Sequence, residues 1–362
     1  MGKGGSLLLV EGNTVLVAAD VLIEACERIL EKAGVPRGQA KMIAQAVVEA
    51  DLRGVESHGV LRLPAYVHRV QAGLMTATTE LKVVQERGST LLLDAQGGFG
   101  QVAGIHAMNH AIERARKHGV GFAAVRNANH FGIAAYYAMM ALPHRMIGMV
   151  TTNAAPSMAA WGGTAAVLGT NPICVAIPTG QDVDIVLDMA SSIVARGKIR
   201  FAASKGDRIP LGWALDADGR PTEDPEAALK GTLLPIGGPK GYGLALVVDI
   251  LTGVLTGSDY GVHLSSVHDL SRRASVGFVM QAVDITAFAD WAEYEKDIQS
   301  LISEIRNSPR APGVDRIFLP GEIEWLKWRE RKQSGIPMPV KVLEQLRDLA
   351  SELGGTVDLP LS

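Results

Sequence analysis

The sequence predicts an α/β protein in which helices from both chain ends enclose a central sheet domain. Three observations carry this. Apolar residues at the 3.6-residue period dominate both ends. Short apolar runs bounded by turn signals dominate the middle. Glycines punctuate most of the junctions between them.

Asp20 is placed to cap a first helix, with Leu22, Ile23, Cys26, Ile29 and Leu30 on one face and Gly34 as its stop. A second helix is expected from about Gln39 to Arg53, and a third from near Val60 to before Gly73. "STLLLDA" (89–95) reads as a strand, 100–119 as a helix closed by Gly119, and "VGFAAV" (120–125) as a buried strand. "YYAMMAL" reads as a short helix, and "IGMVTTN", "NPICVAIPTG" and "VDIVLDMA" as strands. "DADGRP" (216–221) is a turn. In the helix that follows, Asp224 caps, Pro225 takes the first position and Gly231 stops. "LALVVDILTGVL" (244–255) reads as a buried helix. Two helices, 291–306 and 339–353, finish the chain. The expected organisation is a helical subdomain over 17–85, completed by 291–362, around an α/β domain over 86–290. There is no internal repeat.

A chain of 362 residues suits two packed subdomains. With 47% apolar and 20% charged residues it reads as a globular protein. A formal charge of −3 without long charge runs argues against nucleic acid or an anionic membrane as the main partner. No apolar stretch is long enough to span a bilayer, and the opening "MGKGGSLLLVEGN" has too short an apolar run for a secretory leader. Cys26 and Cys174 sit in apolar segments and read as buried free thiols, which fits a reducing cytoplasm.

Three motifs invite over-reading. "GGFGQVAG" satisfies a variant of the dinucleotide fingerprint through Gly98, Gly100 and Ala103, but no acid ends the next strand; Arg126 stands there, which could accept a 2′-phosphate. A plain strand-to-helix turn is the other reading. His106 and His110 lie one helical turn apart, but Ala107 stands where a zinc protease needs Glu, and no other set has metal-ligand spacing. No metal is expected. "PKGYG" (239–243) behind Gly237 and Gly238 is either an anion-binding helix start or a structural turn.

The chemistry concentrates elsewhere. In "ESHGVLRLPAY", Ser57 is placed to cap the third helix, and His58, Arg62 and Tyr66 are spaced to share one helix face. Such a face suits a small carboxylate, which Arg grips with a two-pronged, permanently charged fork. "RNANHFG" (126–132) brings His130 to a strand end, where α/β proteins bind ligands. Two histidines and an arginine suit proton-coupled chemistry on an anion, and redox at an alcohol carbon then needs a hydride-carrying cofactor.

"SHGVLRLPAYV", "NANHFGIAAYYA", "TTNAAPSMAAWGG", "LGTNPICVAIPTG", "LDMASSIVARGKI", "GWALDADGRPTEDP", "LLPIGGPKGYGLAL" and "LPGE" occur in that order. Together they resemble the second family of malate/L-lactate dehydrogenases over about Val17 to Ile336. That family includes L-sulfolactate, ureidoglycolate and diketogulonate enzymes and the piperideine- and pyrroline-2-carboxylate reductases. The resemblance implies a mixed-sheet, non-Rossmann fold like that of L-sulfolactate dehydrogenase. It also implies NAD or NADP as cofactor, a homodimer, and a small 2-hydroxy, 2-oxo or cyclic 2-imino acid as substrate. A non-catalytic metabolite-binding protein on the same scaffold is the reading from another class.

Carried over by motif, either His58 or His130 is the proton-transfer group, and Arg62 and Tyr66 hold the substrate carboxylate. Asp188, Met189, Ala190, Ser191 and Ser192, then Lys240 with Gly241, then Gly321 with Glu322, match cofactor-contacting stretches. Thr170 and Asn171 match a site-lining motif or a structural turn. Ala154 and Ala155 replace the polar residue common after "TN", which implies a smaller or less polar substrate end. The stretch 261–275 matches poorly and reads as a variable loop. His58 begins a helix, where partial positive charge disfavours imidazolium; His130 lies among neutral amides. This favours His130 as the acid/base and His58 as an orienting donor.

Overall fold

The computed structural model describes residues 9–10 and 13–360, so the leader reading of the first residues falls almost wholly outside it. Strands β1 (Leu9–Val10), β2 (Thr14–Val17) and β14 (Ile336–Pro339) form a small antiparallel sheet in which Val17 faces Ile336. Packed with it are α1 (Ala19–Lys32), α2 (Arg37–Leu52), α3 (Leu63–Gln71) and α11 (Val340–Glu352), all feeding one core that includes Leu22, Ile43, Val47, Leu63 and Leu346. The two chain ends thus share an interior. Helix α10 (Glu322–Ser334) is tied to α2 by Trp328 Nε1, which donates to the Glu49 carboxylate at 3.1 Å. Asp20 lies within the first turn of α1 rather than at its cap, which is Ala18.

The central sheet has seven strands in the order β10 (Ile185–Met189), β9 (Ile173–Ile177), β6 (Met146–Thr152), β13 (Val276–Asp284), β5 (Val120–Ala128), β4 (Thr90–Asp94), β3 (Lys82–Arg87). Only β4 and β5 run parallel, joined by α4 (Gly100–His118); every other pair is antiparallel. A doubly wound dinucleotide fold needs consecutive parallel units, so this mixed sheet is not one. The fingerprint glycines have a packing duty instead. A Cβ on Gly100 would lie 2.2 Å from the Asn129 carbonyl oxygen, and one on Gly98 would lie 2.6 Å from Thr79 Cγ2.

A third, smaller core (Met158, Leu168, Val194, Ile199, Leu233, Ala245) lies beside the four-stranded sheet of β11 (Ala214–Leu215), β12 (Thr232–Leu233), β7 (Met158–Ala159) and β8 (Ala166–Leu168). Its helices are α6 (Arg196–Lys205), α7 (Pro225–Lys230) and α8 (Pro239–Asp249), and Asp224 caps α7 by accepting from the Glu226 N–H at 2.9 Å. A short α5 (Ala134–Ala138) and an outer α9 (Trp291–Asn307) complete the helices. Segment 244–255 differs from its expected burial. Ala245, Val248 and Thr252 face inward, while Leu244, Val247, Ile250, Val254 and Leu255 are exposed along the other side.

Helices α6 and α10 and strand β3 have no counterpart in the sequence pattern. All six residues of β3 are exposed, so no inward-outward alternation exists to be read. Helix α10 buries only Glu322 fully.

Candidate active site

The end of β5 is shaped by its own amides. Asn127 adopts φ +53°, and its Nδ2 donates to the Asp94 carboxylate at 2.9 Å, beside Arg126 Nε at 2.9 Å. Asn129 Nδ2 donates to the Gly97 carbonyl at 2.8 Å. These bonds tie the strand end to the β4–α4 turn and carry His130 into a cavity of about 520 Å³. A larger, open hollow of about 730 Å³ between α1 and α11 gathers no comparable set of groups.

The second histidine arrives from the segment between α2 and α3. Asp51, buried on α2, accepts from the Val60 N–H at 2.8 Å, and a Cβ on Gly59 would lie 1.9 Å from its Oδ1. This close approach breaks the segment into two 3₁₀ turns, Glu56–His58 and Val60–Arg62, and α3 begins only at Leu63. The expected continuous helix face is therefore absent. His58 and Arg62 line the cavity, but Tyr66 is fully buried behind His130 and does not. Its hydroxyl lies 2.7 Å from His130 Nδ1. Ser57 caps no helix; its Oγ lies 2.9 Å from His58 Nδ1.

The two imidazoles stack with centroids 5.4 Å apart and planes at 24°. The Gly132 N–H also points to His130 Nδ1, at 3.4 Å. Because that amide can only donate, the network assigns the ring proton of His130 to Nε2. Arg62 donates from Nε to the Ser57 carbonyl at 2.6 Å and from Nη1 to His268 Nε2 at 2.6 Å. His268 belongs to the stretch expected to be a variable loop, yet Leu264–His268 and Ala274 form part of the cavity wall.

Burial and then the Arg62 charge push His58 down to about 4. His130 lies well below the usual histidine range, through burial first and then through His58, Arg62 and His268. The expectation that His130 escapes a penalty is thus corrected: surrounding cations and desolvation weigh on both rings. Among the described residues, no group of three or more His, Cys, Asp or Glu comes together, and Cys26 and Cys174 are buried and free.

The cofactor candidates meet in one strip. The Val186 N–H donates to the Pro320 carbonyl at 2.9 Å, and a Cβ on Gly321 would lie 2.6 Å from the Val186 oxygen. Ser192 pairs with Pro235, and the Gly241 N–H closes the following turn on Ile236 at 2.8 Å, with Lys240 beside it. The strip reaches the cavity at Thr170, whose carbonyl accepts from Ser191 N–H at 2.8 Å and Ser191 Oγ at 2.9 Å. Most of its polar side chains are already engaged. Asp188 accepts from the Ala135 N–H at 2.9 Å, and Ser192 Oγ donates to the Val194 carbonyl at 2.9 Å. Glu322 accepts from Leu319 N–H at 3.0 Å, Arg306 at 3.2 Å, and Arg316. Met189 and Ala190 carry the chain from β10 to Ser191. Asn171, at φ +21°, bonds to Ala154 and Ala245 and so is structural.

Sequence reasoning missed Arg196, Arg200 and His268. The two arginines stand four apart in "ARGKIR", a helical spacing that was there to be read. Nothing in its neighbourhood marked His268.

A family model described as malate/L-lactate dehydrogenase matches residues 17–347. A malate dehydrogenase of Pyrococcus abyssi is 41% identical over 95% of this chain and 97% of that protein. A (2R)-3-sulfolactate dehydrogenase (NADP(+)) of Chromohalobacter salexigens is 36% identical over 94% of this chain and 96% of that one. The solved sulfolactate dehydrogenase of Methanocaldococcus jannaschii superposes with a TM-score of 0.90 at 39% identity, covering 94% of this chain and 98% of that one.

Proposed function

This chain belongs to the malate/L-lactate dehydrogenase family, and on that premise we propose that it interconverts a small 2-hydroxy acid and its 2-oxo acid in the 520 Å³ cavity. It is an NAD(P)-dependent oxidoreductase. The observation that carries the substrate reading is the pairing, in one cavity, of two stacked imidazoles with an arginine.

The residues present fit a nicotinamide dinucleotide. Gly132 and Gly197 line the cavity, and a Cβ on either would point into open space. The backbone strip 186–192, 240–241 and 320–322 leads away from Thr170, with Lys240 exposed along it. When bound, nicotinamide supplies or takes the hydride. The chain supplies the rest. Arg62 holds the substrate carboxylate through the guanidinium N–H groups not engaged by Ser57 and His268. In reduction, His130, protonated as imidazolium once the anion is bound, gives its Nε2 proton to the substrate oxygen and returns to the neutral ring, while the Tyr66 hydroxyl at Nδ1 keeps the ring oriented. His58 orients the same oxygen from the stacked ring. The entering anion opposes the charge of Arg62 and so raises both imidazoles toward neutral pH.

The exposed apolar side of 244–255 supports a homodimer, since a second copy laid on it would remove that surface from water. Val247→Glu with Val254→Glu is expected to shift the molar mass in solution to that of a monomer, measured by light scattering. An unchanged mass assigns any dimer to another face.

The test of function is absorbance at 340 nm with NADH or NADPH and a panel of 2-oxo acids and cyclic imines. Oxidation with 2-oxo acids is expected. Binding without oxidation contradicts an enzyme, and oxidation by cyclic imines alone reassigns the substrate.

A further inference from the structure

Helix α3 sends two polar side chains fully into the interior, Tyr66 and Arg69. Tyr66 is accounted for at His130. Arg69 does not line the cavity. Its guanidinium donates to the backbone carbonyls of Ser266 (3.4 Å), Asp269 and Arg272 (3.2 Å), all in one loop. Burying a guanidinium is costly unless its donors are used, and here every recorded bond serves that loop.

The loop needs such a donor. Between Ser265 and Ala274 there is no helix or strand, and the backbone bonds to itself once among the described residues, from the Asp269 N–H to the Ser266 carbonyl at 3.0 Å. Without Arg69 its inward carbonyls would be left unpaired. Side chains add to the hold. Ser265 Oγ and Ser271 Oγ donate to the Asp269 carboxylate at 3.0 and 2.6 Å, and Ser275 Oγ donates to Asn127 Oδ1 at 2.8 Å. His268 stands between Ser266 and Asp269, two of the residues that Arg69 grips. Its Nε2 accepts from Arg62 Nη1 at 2.6 Å, while Arg62 Nε donates to the Ser57 carbonyl at 2.6 Å. Two bonds on different edges fix both the place and the tilt of a planar guanidinium. With Ser57 alone, the fork could swing about a single bond.

We propose that Arg69 is a positioning residue for the reaction: by gathering three carbonyls of the 266–272 loop it seats His268, and His268 locks the Arg62 fork in the orientation that receives the carboxylate. This rests on the reading of Arg62 as holder of the substrate carboxylate. Helix α3 then sets both sides of the cavity from one rigid element, His130 through Tyr66 and Arg62 through Arg69 and His268. A side chain held in place beforehand does not have to be ordered when the ligand binds, and ordering one such chain corresponds to about 3- to 10-fold in affinity.

The experiment is a double-mutant cycle of Arg69→Met and His268→Ala, read as KM for pyruvate and for oxaloacetate at 340 nm with saturating NADH and NADPH. Arg69→Met is expected to raise the 2-oxo acid KM about 3- to 10-fold, with kcat and the cofactor KM kept. His268→Ala is expected to do the same, and the double variant no more than either, because Arg69 acts through His268. Arg69→Lys keeps the charge but not the spread of donors, and is expected to fall between the wild type and Arg69→Met. Single effects that multiply in the double variant overturn the proposal, since a purely structural residue acts independently of His268. An unchanged KM in folded Arg69→Met also overturns it. Where Arg69→Met does not fold, Arg69→Lys takes its place in the cycle; failure of both to fold assigns Arg69 to the fold and overturns its positioning role. The same cycle in Kd for oxamate, titrated calorimetrically into the enzyme–NADH complex, needs no turnover. If the wild type reduces no 2-oxo acid, the functional reading fails, and the oxamate cycle alone decides the role of Arg69. A wild type that binds no oxamate either overturns both.

Discussion

In the proposed substrate cavity, His58, Arg62, His130 and His268 hold one another and still present polar atoms to open space. In the strip beside it, Asp188, Ser191, Ser192 and Glu322 are tied to backbone amides, carbonyls or neighbouring arginines. Both regions are equally conspicuous as motifs. On the proposed reading the first supplies chemistry, because its groups still present polar atoms to the cavity. The second supplies shape, because its side chains fix the loops, and what remains for a ligand is backbone, glycine surface and Lys240. Substitutions should therefore damage the two regions in different currencies: rate and pH dependence in the cavity, stability in the strip.

The largest effect is expected at the proton. A positioned general acid contributes about 10²–10⁴-fold, so His130→Asn should lower kcat by that factor and flatten its pH profile. His58→Asn should chiefly raise KM and keep the pH dependence. The reverse pattern in steady-state profiles exchanges the two roles. Next comes the clamp. Arg62→Lys keeps the charge but loses the fork, and kcat/KM should fall about 10- to 100-fold. Unchanged kinetics would remove Arg62 from the substrate.

The smallest effect on chemistry is expected in the strip. Glu322→Ala leaves the Leu319 N–H unpaired and two arginines without their acid. Those arginines keep 35% and 49% of their side-chain surface exposed, so solvent screening trims the ion-pair part. A loss of about 1–3 kcal/mol, mainly from the orphaned amide, should appear in urea unfolding. The pH profile of the remaining activity should keep the wild-type shape. A changed profile would move Glu322 from shape to chemistry.

Much of this was legible in the chain. The period of α1, the Gly119 stop and the Asp224 cap are local signals, and local signals survive folding. The place of His130 was legible because a buried strand ran straight into amides, which turned out to bond to the β4–α4 turn. Tyr66 was misplaced for a tertiary reason: Asp51 against Gly59 forces two 3₁₀ turns where spacing alone allows a helix. His268 was invisible because its position depends on Arg69, roughly 200 residues away in sequence. The exposed side of 244–255 looked buried because composition alone does not say what covers an apolar face.

On the proposed reading, the cavity keeps its histidines uncharged until an anion arrives. Burial and cations place His58 near 4 and His130 well below its usual value, so both rings are neutral at neutral pH. A bound anion raises those values, and a group whose affinity for protons rises on binding takes up a proton. The direct measurement is calorimetric titration of the enzyme–cofactor complex with an unreactive dicarboxylate, in buffers of different ionisation enthalpy, from acid to alkaline pH. Net proton uptake is expected near neutrality, fading at alkaline pH above the bound-state value and at acid pH below the free one. Zero uptake across the whole range, or proton release, would contradict the account.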